Sequence, residues 1–484
     1  MGGMAVQRPN VLLICVDQWR RDCLSIDGHP VVRTPFLDQL ASRGARFSQA
    51  YSATPTCIPA RAAMFTGLGQ ERHGRVGYQD GVPWSYSTTL AGEFSRNGYQ
   101  TQAVGKMHVY PERNPLGFEN VILHDGYLHY ARRNADRIED VDDYVPWLGQ
   151  RLGYKADYFD HGVNCNSHVA RPWDKPEDTH PTNFVASKTV EFLKNRDKSR
   201  PFFLFSSFHR PHPPYDPPAW AFEMYLSKTM PKVAQGDWYH TVEHLAEPHS
   251  PERFVGPADP ETLQRARAGY YGHMTHIDHQ INRIMEALDE VGIADNTYVC
   301  FTSDHGEMMG DHHMWRKGYP YEGSAGIPLI LFGPNHSGIS AGSRSDQLVE
   351  LRDILPTLLD CAGLPIPESI DGKSLLPLAA GGRGALRPYL HGEHYIFDQS
   401  IQWIVRGQKK YIWWSGDGTE QFFDLANDPY ESRDLIDEES RAGEIAELRA
   451  HLIYELAGRE EGASDGKRLI PGRSFGPVLA KPKP

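Results

Sequence analysis

The chain has 484 residues, 40% of them hydrophobic and 23% charged, with a formal net charge of −12. This length supports a large core and two or more domains, and the acidic balance without a long basic run argues against nucleic acid or an anionic membrane as a partner. Six scattered cysteines (Cys15, Cys23, Cys57, Cys165, Cys300, Cys361) have no C-x-x-C spacing and read as reduced thiols, not a disulfide framework.

The first ten residues lack the apolar core of a signal peptide, and no apolar run is long enough to span a membrane, so a cytoplasmic protein is expected. Val11 to Val16 is a continuous apolar run, the pattern of a strand buried on both faces of a parallel sheet. It ends in Asp17-Gln18, at the carboxyl edge where open α/β sheets bind ligands, although an Asp there commonly serves only as a turn or cap. A helix is predicted from Thr34, and Arg46 to Tyr51 reads as a short strand. Thr56 as N-cap and Pro59 in a first turn predict a helix starting beside Cys57. Free backbone N–H groups there favour an anion, and Arg61 is expected to fold back over the same spot. Cys57 then reads as a nucleophile or metal ligand, with a small buried core residue as the plain alternative.

A helix over Leu90 to Asn97, stopped by Gly98, leads into a strand from Gln100 to Val104. Lys106 and His108 follow at its carboxyl end. Residues 109 to 180 are aromatic and polar without periodicity; a pocket wall, a scaffold excursion and an oligomer contact all fit. A helix over Thr182 to Arg196 and a strand over Pro201 to Phe208 run into the proline-stiffened loop His209-Arg210-Pro211-His212-Pro213-Pro214-Tyr215. A long helix, with room for a break, is predicted over Pro260 to Val291. The strand Thr297 to Thr302 ends in Ser303-Asp304-His305-Gly306-Glu307, an oxygen and a nitrogen ligand presented together at a sheet edge. Lys317, a strand from Leu329 to Phe332 and a helix over Leu351 to Cys361 come next. Beyond a Gly-rich linker at 381–384 lie strands at Ile401–Arg406, Lys410–Trp414 and Gln421–Leu425, with a turn at Gly416-Asp417-Gly418, and a helix near Glu444 to Leu456. The expected fold is α/β, a large mostly parallel sheet sandwiched by helices over residues 1–384, followed by a small α+β unit over 385–484 with an antiparallel sheet, a helix and a tail.

Cys57-Ile58-Pro59-Ala60-Arg61 resembles the C-x-P-x-R signature of type I sulfatases, members of the alkaline phosphatase superfamily. The Gly105-Lys106-Met107-His108, Pro211-His212-Pro213-Pro214 and Asp304-His305-Gly306 segments resemble further elements of the same family. The resemblance spans roughly residues 8 to 435. It implies that Cys57 is oxidised by a separate formylglycine-generating enzyme to an aldehyde whose hydrate attacks sulfur. It further implies a divalent metal held by Asp17, Gln18, residue 57, Asp304 and His305, with Ca2+ first and Mn2+ or Zn2+ open because of the imidazole. By the same resemblance Arg61 and Lys106 supply fixed positive charge, and His108 accepts the proton that releases sulfate. His212 and Lys317 serve the leaving oxygen. The partners implied are a small sulfate ester and the maturation enzyme, with a dimer or tetramer by family analogy. Gln18, His305 and the 209–215 loop are shared with phosphonate monoester hydrolases, so a phosphonate monoester or phosphodiester hydrolase with the same nucleophile is one alternative. A catalytically inactive anion-binding protein is another. Aryl, choline and sugar sulfates all stay open as substrates.

Overall fold

The computed structural model describes residues 8–126 and 129–482. Most of the N-terminal stretch read for targeting therefore lies outside the described residues. Eight strands form the main sheet: β1 (Asn10–Asp17), β2 (Ala45–Tyr51), β3 (Gln100–Gly105), β4 (Asn120–Leu123), β5 (Phe202–Pro211), β6 (Thr297–Ser303), β7 (Leu329–Phe332) and β8 (Ser343–Glu350). Their spatial order is β4-β3-β5-β1-β6-β7-β2-β8. Every strand runs the same way except β7, which is antiparallel to both neighbours. A second, antiparallel sheet is a meander of β9 (Leu390–Ile396), β10 (Gln399–Arg406), β11 (Lys409–Trp414) and β12 (Glu420–Asp424).

β1 lies at the centre, and its alternation builds two cores. Leu12, Ile14 and Val16 pack into the layer covered by the Pro260–Glu290 helix, while Val11, Leu13 and Cys15 face the opposite layer with the Cys57–Thr66 helix. All six are fully buried. A period-2 strand with both faces covered must be apolar at every position, which is why the run carries no polar residue until Asp17. The long helix has no break over its 31 residues. It starts on Pro260, with the Asp259 carboxylate accepting from Thr262 N at 2.9 Å.

Register then sets the site. β1 pairs with β6 so that Val16 stands opposite Ser303, which brings Asp17 and Asp304 to the same edge one residue later. On the other side a bulge between Val16 and Asp17 shifts the pairing with β5 and sets Asp17 opposite Pro211. Gly105 ends β3 opposite Ser207 with φ +98°, and a Cβ there would lie 1.9 Å from the Ser207 carbonyl oxygen. Only glycine allows that approach, and it turns Lys106 toward β1.

The stretch 109–180 is more ordered than its lack of periodicity suggested. It holds β4, helices at His129–Asn134 and Tyr144–Leu152, and a buried group of Tyr144, Tyr158, His124 and Asp142. Short amphipathic pieces joined by long loops have no sustained repeat to read.

Candidate active site at the sheet edge

Four side chains from three elements meet at the carboxyl end of β1. Cys57 Sγ lies 3.2 Å from His305 Nε2 and 3.6 Å from Asp17 Oδ1. His305 Nε2 lies 3.3 Å from Asp17 Oδ1 and 3.7 Å from Asp304 Oδ1. The ligand atoms of Asp17, Cys57, Asp304 and His305 are all within 4.8 Å of one another, and all four residues are buried. His305 Nδ1 is 2.9 Å from the Gly306 carbonyl; donating there places the proton on Nδ1 and turns the Nε2 lone pair into the cluster. Burial lowers the His305 pKa, which favours the neutral ring a metal requires. Two buried carboxylates, a neutral imidazole nitrogen and residue 57 suit a divalent cation, whose double charge the carboxylates match.

Gln18 borders this group. Its backbone, at φ +74°, donates N–H to Asp304 Oδ1 at 3.2 Å. Its Nε2 donates to Glu307, which fixes the amide so that Oε1 accepts from Lys317 Nζ at 2.6 Å. Lys106 Nζ donates to Asp17 Oδ2. Burial alone would raise the Asp17 pKa, but Lys106, with His212, His305 and Lys317 around it, holds the carboxyl well below its usual range. Burial opposes the Lys106 charge, and Asp17 and Cys57 overcome it, so its pKa is raised.

Cys57 opens a ten-residue helix in which every residue is buried. Thr56 sits at the N-cap in extended conformation, but its side chain makes no capping hydrogen bond, contrary to the sequence reading. Arg61 also differs from expectation. Its Nε donates to Asp304 Oδ2 at 3.0 Å, and Nη1 donates to the Lys106 carbonyl at 2.7 Å and to Ser207 Oγ at 3.0 Å. Arg61 thus ties β6, β3 and β5 together beneath the site rather than covering the sulfur, and its charge reaches the site through Asp304.

A cavity of about 200 Å³ opens above Cys57, with Lys106, His108, His212 and Lys317 in its wall. His108, at φ +55°, has Nε2 3.4 Å from the Tyr78 hydroxyl and 3.9 Å from Asp80 Oδ1. Burial and Lys106 push its pKa down, but Asp80 and Cys57 outweigh them, so its pKa is raised. His212 is the opposite case. Its Nδ1 lies 2.9 Å from the Pro213 carbonyl, and burial together with Lys317 drives its pKa well below the usual value. The sequence-derived residues thus gather at one edge: Cys57, Lys106, His108, His212 and Lys317 line the cavity, and Asp17, Gln18, Arg61, Asp304 and His305 lie outside its lining.

Tyr78, Asp80, Ser207, Glu307, Arg316 and His394 were not singled out from sequence. Ser207 sits inside a strand whose register only the fold reveals, and Glu307 is legible merely as the end of the 303–307 run. Tyr78 and Asp80 are placed by residues far away in sequence: Val76 N donates to Pro477 O at 2.9 Å, and Gly77 bridges Tyr395. A second group, His180, Asp216 and His273, also brings potential ligands together. There the carboxylate is engaged by Arg210, from Nε at 2.8 Å and Nη2 at 2.9 Å, so a cation would face a guanidinium and the group reads as a structural node.

Comparison with known proteins agrees with this geometry. Residues 9–364 match the sulfatase family model, and residues 310–458 match the model of the N-sulphoglucosamine sulphohydrolase C-terminal region. The chain is 48% identical over 470 residues to an arylsulfatase of Clostridium perfringens, covering 96% of this chain and 98% of that protein. It is 30% identical over 465 residues to a choline-sulfatase of Rhizobium meliloti, covering 90% and 83%. Among solved structures, the phosphonate monoester hydrolase of Agrobacterium radiobacter superposes with a TM-score of 0.76 at 28% identity, covering 92% of this chain and 95% of that one.

Proposed function

The chain belongs to the sulfatase family, and on that footing we propose that it hydrolyses aryl sulfate monoesters with residue 57 matured from cysteine to formylglycine and a divalent cation, Ca2+ first, held by Asp17, Gln18, residue 57, Asp304 and His305. The observation that carries the proposal is the convergence of Asp17, Asp304 and His305 on Cys57, which lines the same cavity as Lys106, His108, His212 and Lys317.

When present, the aldehyde hydrate supplies the attacking oxygen and the cation supplies Lewis-acid polarisation of the sulfuryl oxygens. The chain's own residues do the rest. Lys106 and Lys317 place two ammonium groups in the wall of the cavity that Cys57 lines, where they bind sulfuryl oxygens and hold the ester in line. Lys317 Nζ can donate a hydrogen bond to the departing alcohol oxygen. His212, with its Nδ1 proton committed to Pro213, has Nε2 available to take the proton that the attacking hydroxyl loses and pass it to the same oxygen. His108 takes the proton whose removal releases sulfate, and Asp80 stabilises the resulting imidazolium. Burial of the whole group excludes bulk water and strengthens each of these interactions.

Peptide mass spectrometry across residue 57 after co-expression with a formylglycine-generating enzyme, paired with 4-nitrophenyl sulfate turnover on the same preparation, tests this. Turnover should track the aldehyde fraction, and a Cys57→Ala variant with full turnover would sink the scheme. His305 and the likeness to the phosphonate monoester hydrolase favour a second activity on phosphonate monoesters. The ratio of kcat/KM for phenyl sulfate and phenyl phenylphosphonate measures it, and the sulfate is expected to lead.

A further inference from the structure

The cavity that receives the ester contains more positive charge than a single sulfate uses. Lys106 and Lys317, in its wall, are engaged with Asp17 and Gln18. Arg316, also in the wall, has no such role. Its Nη2 donates to Asn166 Oδ1 at 2.9 Å and its Nη1 to the Glu252 carbonyl at 3.2 Å, so both acceptors are neutral. Its Nε is buried and without a hydrogen-bond partner, and among the described residues no carboxylate makes an ion pair with this guanidinium.

An arginine in this state is costly. Burying a cation is tolerated when an anion or a full set of acceptors compensates it, and here both are lacking. The backbone adds to the cost: Arg316 sits at φ +67°, a region that L side chains rarely occupy, with its N–H donating to Glu307. The guanidinium is nonetheless held firmly, its Cζ 4.0 Å from the centroid of the Phe254 ring. A charge that is fixed, partly desolvated and unpaired in a binding cavity is poised for an anion from outside. His394 stands in the same wall, buried, with neither ring nitrogen hydrogen-bonded. No carboxylate lines the cavity among the described residues, so a cationic leaving group would meet no counter-ion in the wall.

We propose that Arg316 is a specificity residue that binds a second anionic group, a carboxylate or sulfate, on the leaving group of the ester, so that the preferred substrate carries a negative charge at each end. This rests on the sulfatase reading of the cavity and deepens it. A fork of two N–H donors suits a planar carboxylate, and such a charge-assisted contact made in place of water is expected to be worth about tenfold or more in kcat/KM. A quaternary ammonium sulfate is correspondingly disfavoured.

A matched pair of esters tests this: 4-(carboxymethyl)phenyl sulfate and its primary amide, 4-(carbamoylmethyl)phenyl sulfate, whose phenols leave with similar ease. With residue 57 shown to be converted, the wild-type enzyme should favour the carboxylate by about tenfold or more. Arg316→Gln should bring the ratio near one, and Arg316→Lys should retain most of it because the charge stays. Equal kcat/KM for the two esters in the wild type overturns the proposal while leaving the sulfatase reading intact, and this comparison does not depend on any variant folding. A preference that survives Arg316→Gln undiminished also overturns it. Failure to turn over either ester, or 4-nitrophenyl sulfate, by fully converted enzyme overturns the sulfatase reading itself, and the anion subsite falls with it.

Discussion

Replacing Asp216 with asparagine probes how the loop carrying His212 is held. The Asp216 side chain is fully buried. It accepts two hydrogen bonds from Arg210, lies 2.9 Å from His161 Nε2, and lies 3.2 Å from His273 Nε2 on the long helix. Its own N–H donates to His273 Nε2 at 3.0 Å. One carboxylate thus joins β5, the 129–180 segment and the long helix around the turn that presents His212. Burial alone would raise its pKa, but Arg210 outweighs that and holds it well below the usual carboxylate range. The amide keeps the shape and removes the charge, which strands the Arg210 guanidinium at no exposure. Orphaning one member of a buried pair costs about 3–5 kcal/mol. Denaturant titration of Asp216→Asn is expected to show that loss at an unchanged m value, and 4-nitrophenyl sulfate kinetics a lower kcat at similar KM. Adding Arg210→Gln removes the stranded charge and should recover part of the stability. A single variant within about 0.5 kcal/mol of wild type and with full kcat would refute the reasoning, as would a double variant whose loss equals the sum of the two singles.

Chelation of the divalent cation should reduce turnover about a hundredfold or more, since it removes several kcal/mol of charge stabilisation, and it should also lower the thermal midpoint; titrating Ca2+ and Mn2+ back while following both signals identifies the metal. Acid stability should fall across a defined window. Burial lowers the His180 pKa from 6.5 to about 4, so its contribution is complete above pH 6.5 and is lost as pH falls through about 4. The gap corresponds to roughly 3 kcal/mol, and His180→Gln should flatten the slope of stability against pH there. Deleting residues 474–484 removes the contacts of Pro477 with Val76 and of Leu479 with Gly74, at 2.9 and 2.8 Å. This should loosen Tyr78 and Asp80, lowering kcat several-fold with a smaller effect on KM, and an unchanged kcat would show that the tail does not support His108.

The legible parts of the chain were those in which one residue type answers one local demand. Val11 to Val16 had to be apolar because both faces of β1 are covered, and the carboxylate after it had to stand at the sheet edge. The same logic made the ends of β3, β5 and β6 readable, and with them Lys106, His212, Asp304 and His305. The strands at 120–123, 343–350 and 390–396 escaped notice. β4 is four residues long, and β8 alternates with charged residues because it lies at an edge. Arg61 was read as a donor to the sulfur because helix geometry places it near the N-terminus. Its direction depends on Asp304 and Ser207, which are 243 and 146 residues away. Arg316 had no sequence signature at all. A lone arginine beside a lysine reads as solvated surface until burial and the absence of an acid are seen together.

The arrangement also explains why a buried lysine is needed at position 106. Asp17 and Asp304 lie close together and fully buried, and two such charges cannot both persist without compensation. Arg61 compensates Asp304 permanently, because its guanidinium is anchored on Lys106 O and Ser207 Oγ. Asp17 is compensated by Lys106, which also lines the cavity. A divalent charge held among the carboxylates would relieve Asp17 of its need for Lys106 and leave the Lys106 N–H donors for sulfuryl oxygens, which would couple substrate binding to metal loading. In Lys106→Met, Asp17 loses its only direct ion-pair partner among the described residues apart from His305, so the metal-free protein should be destabilised more than the metal-bound one. Comparing the stabilities of the two forms in wild type and variant measures the coupling, and an equal loss in both forms would show that Lys106 and the cation act on Asp17 independently.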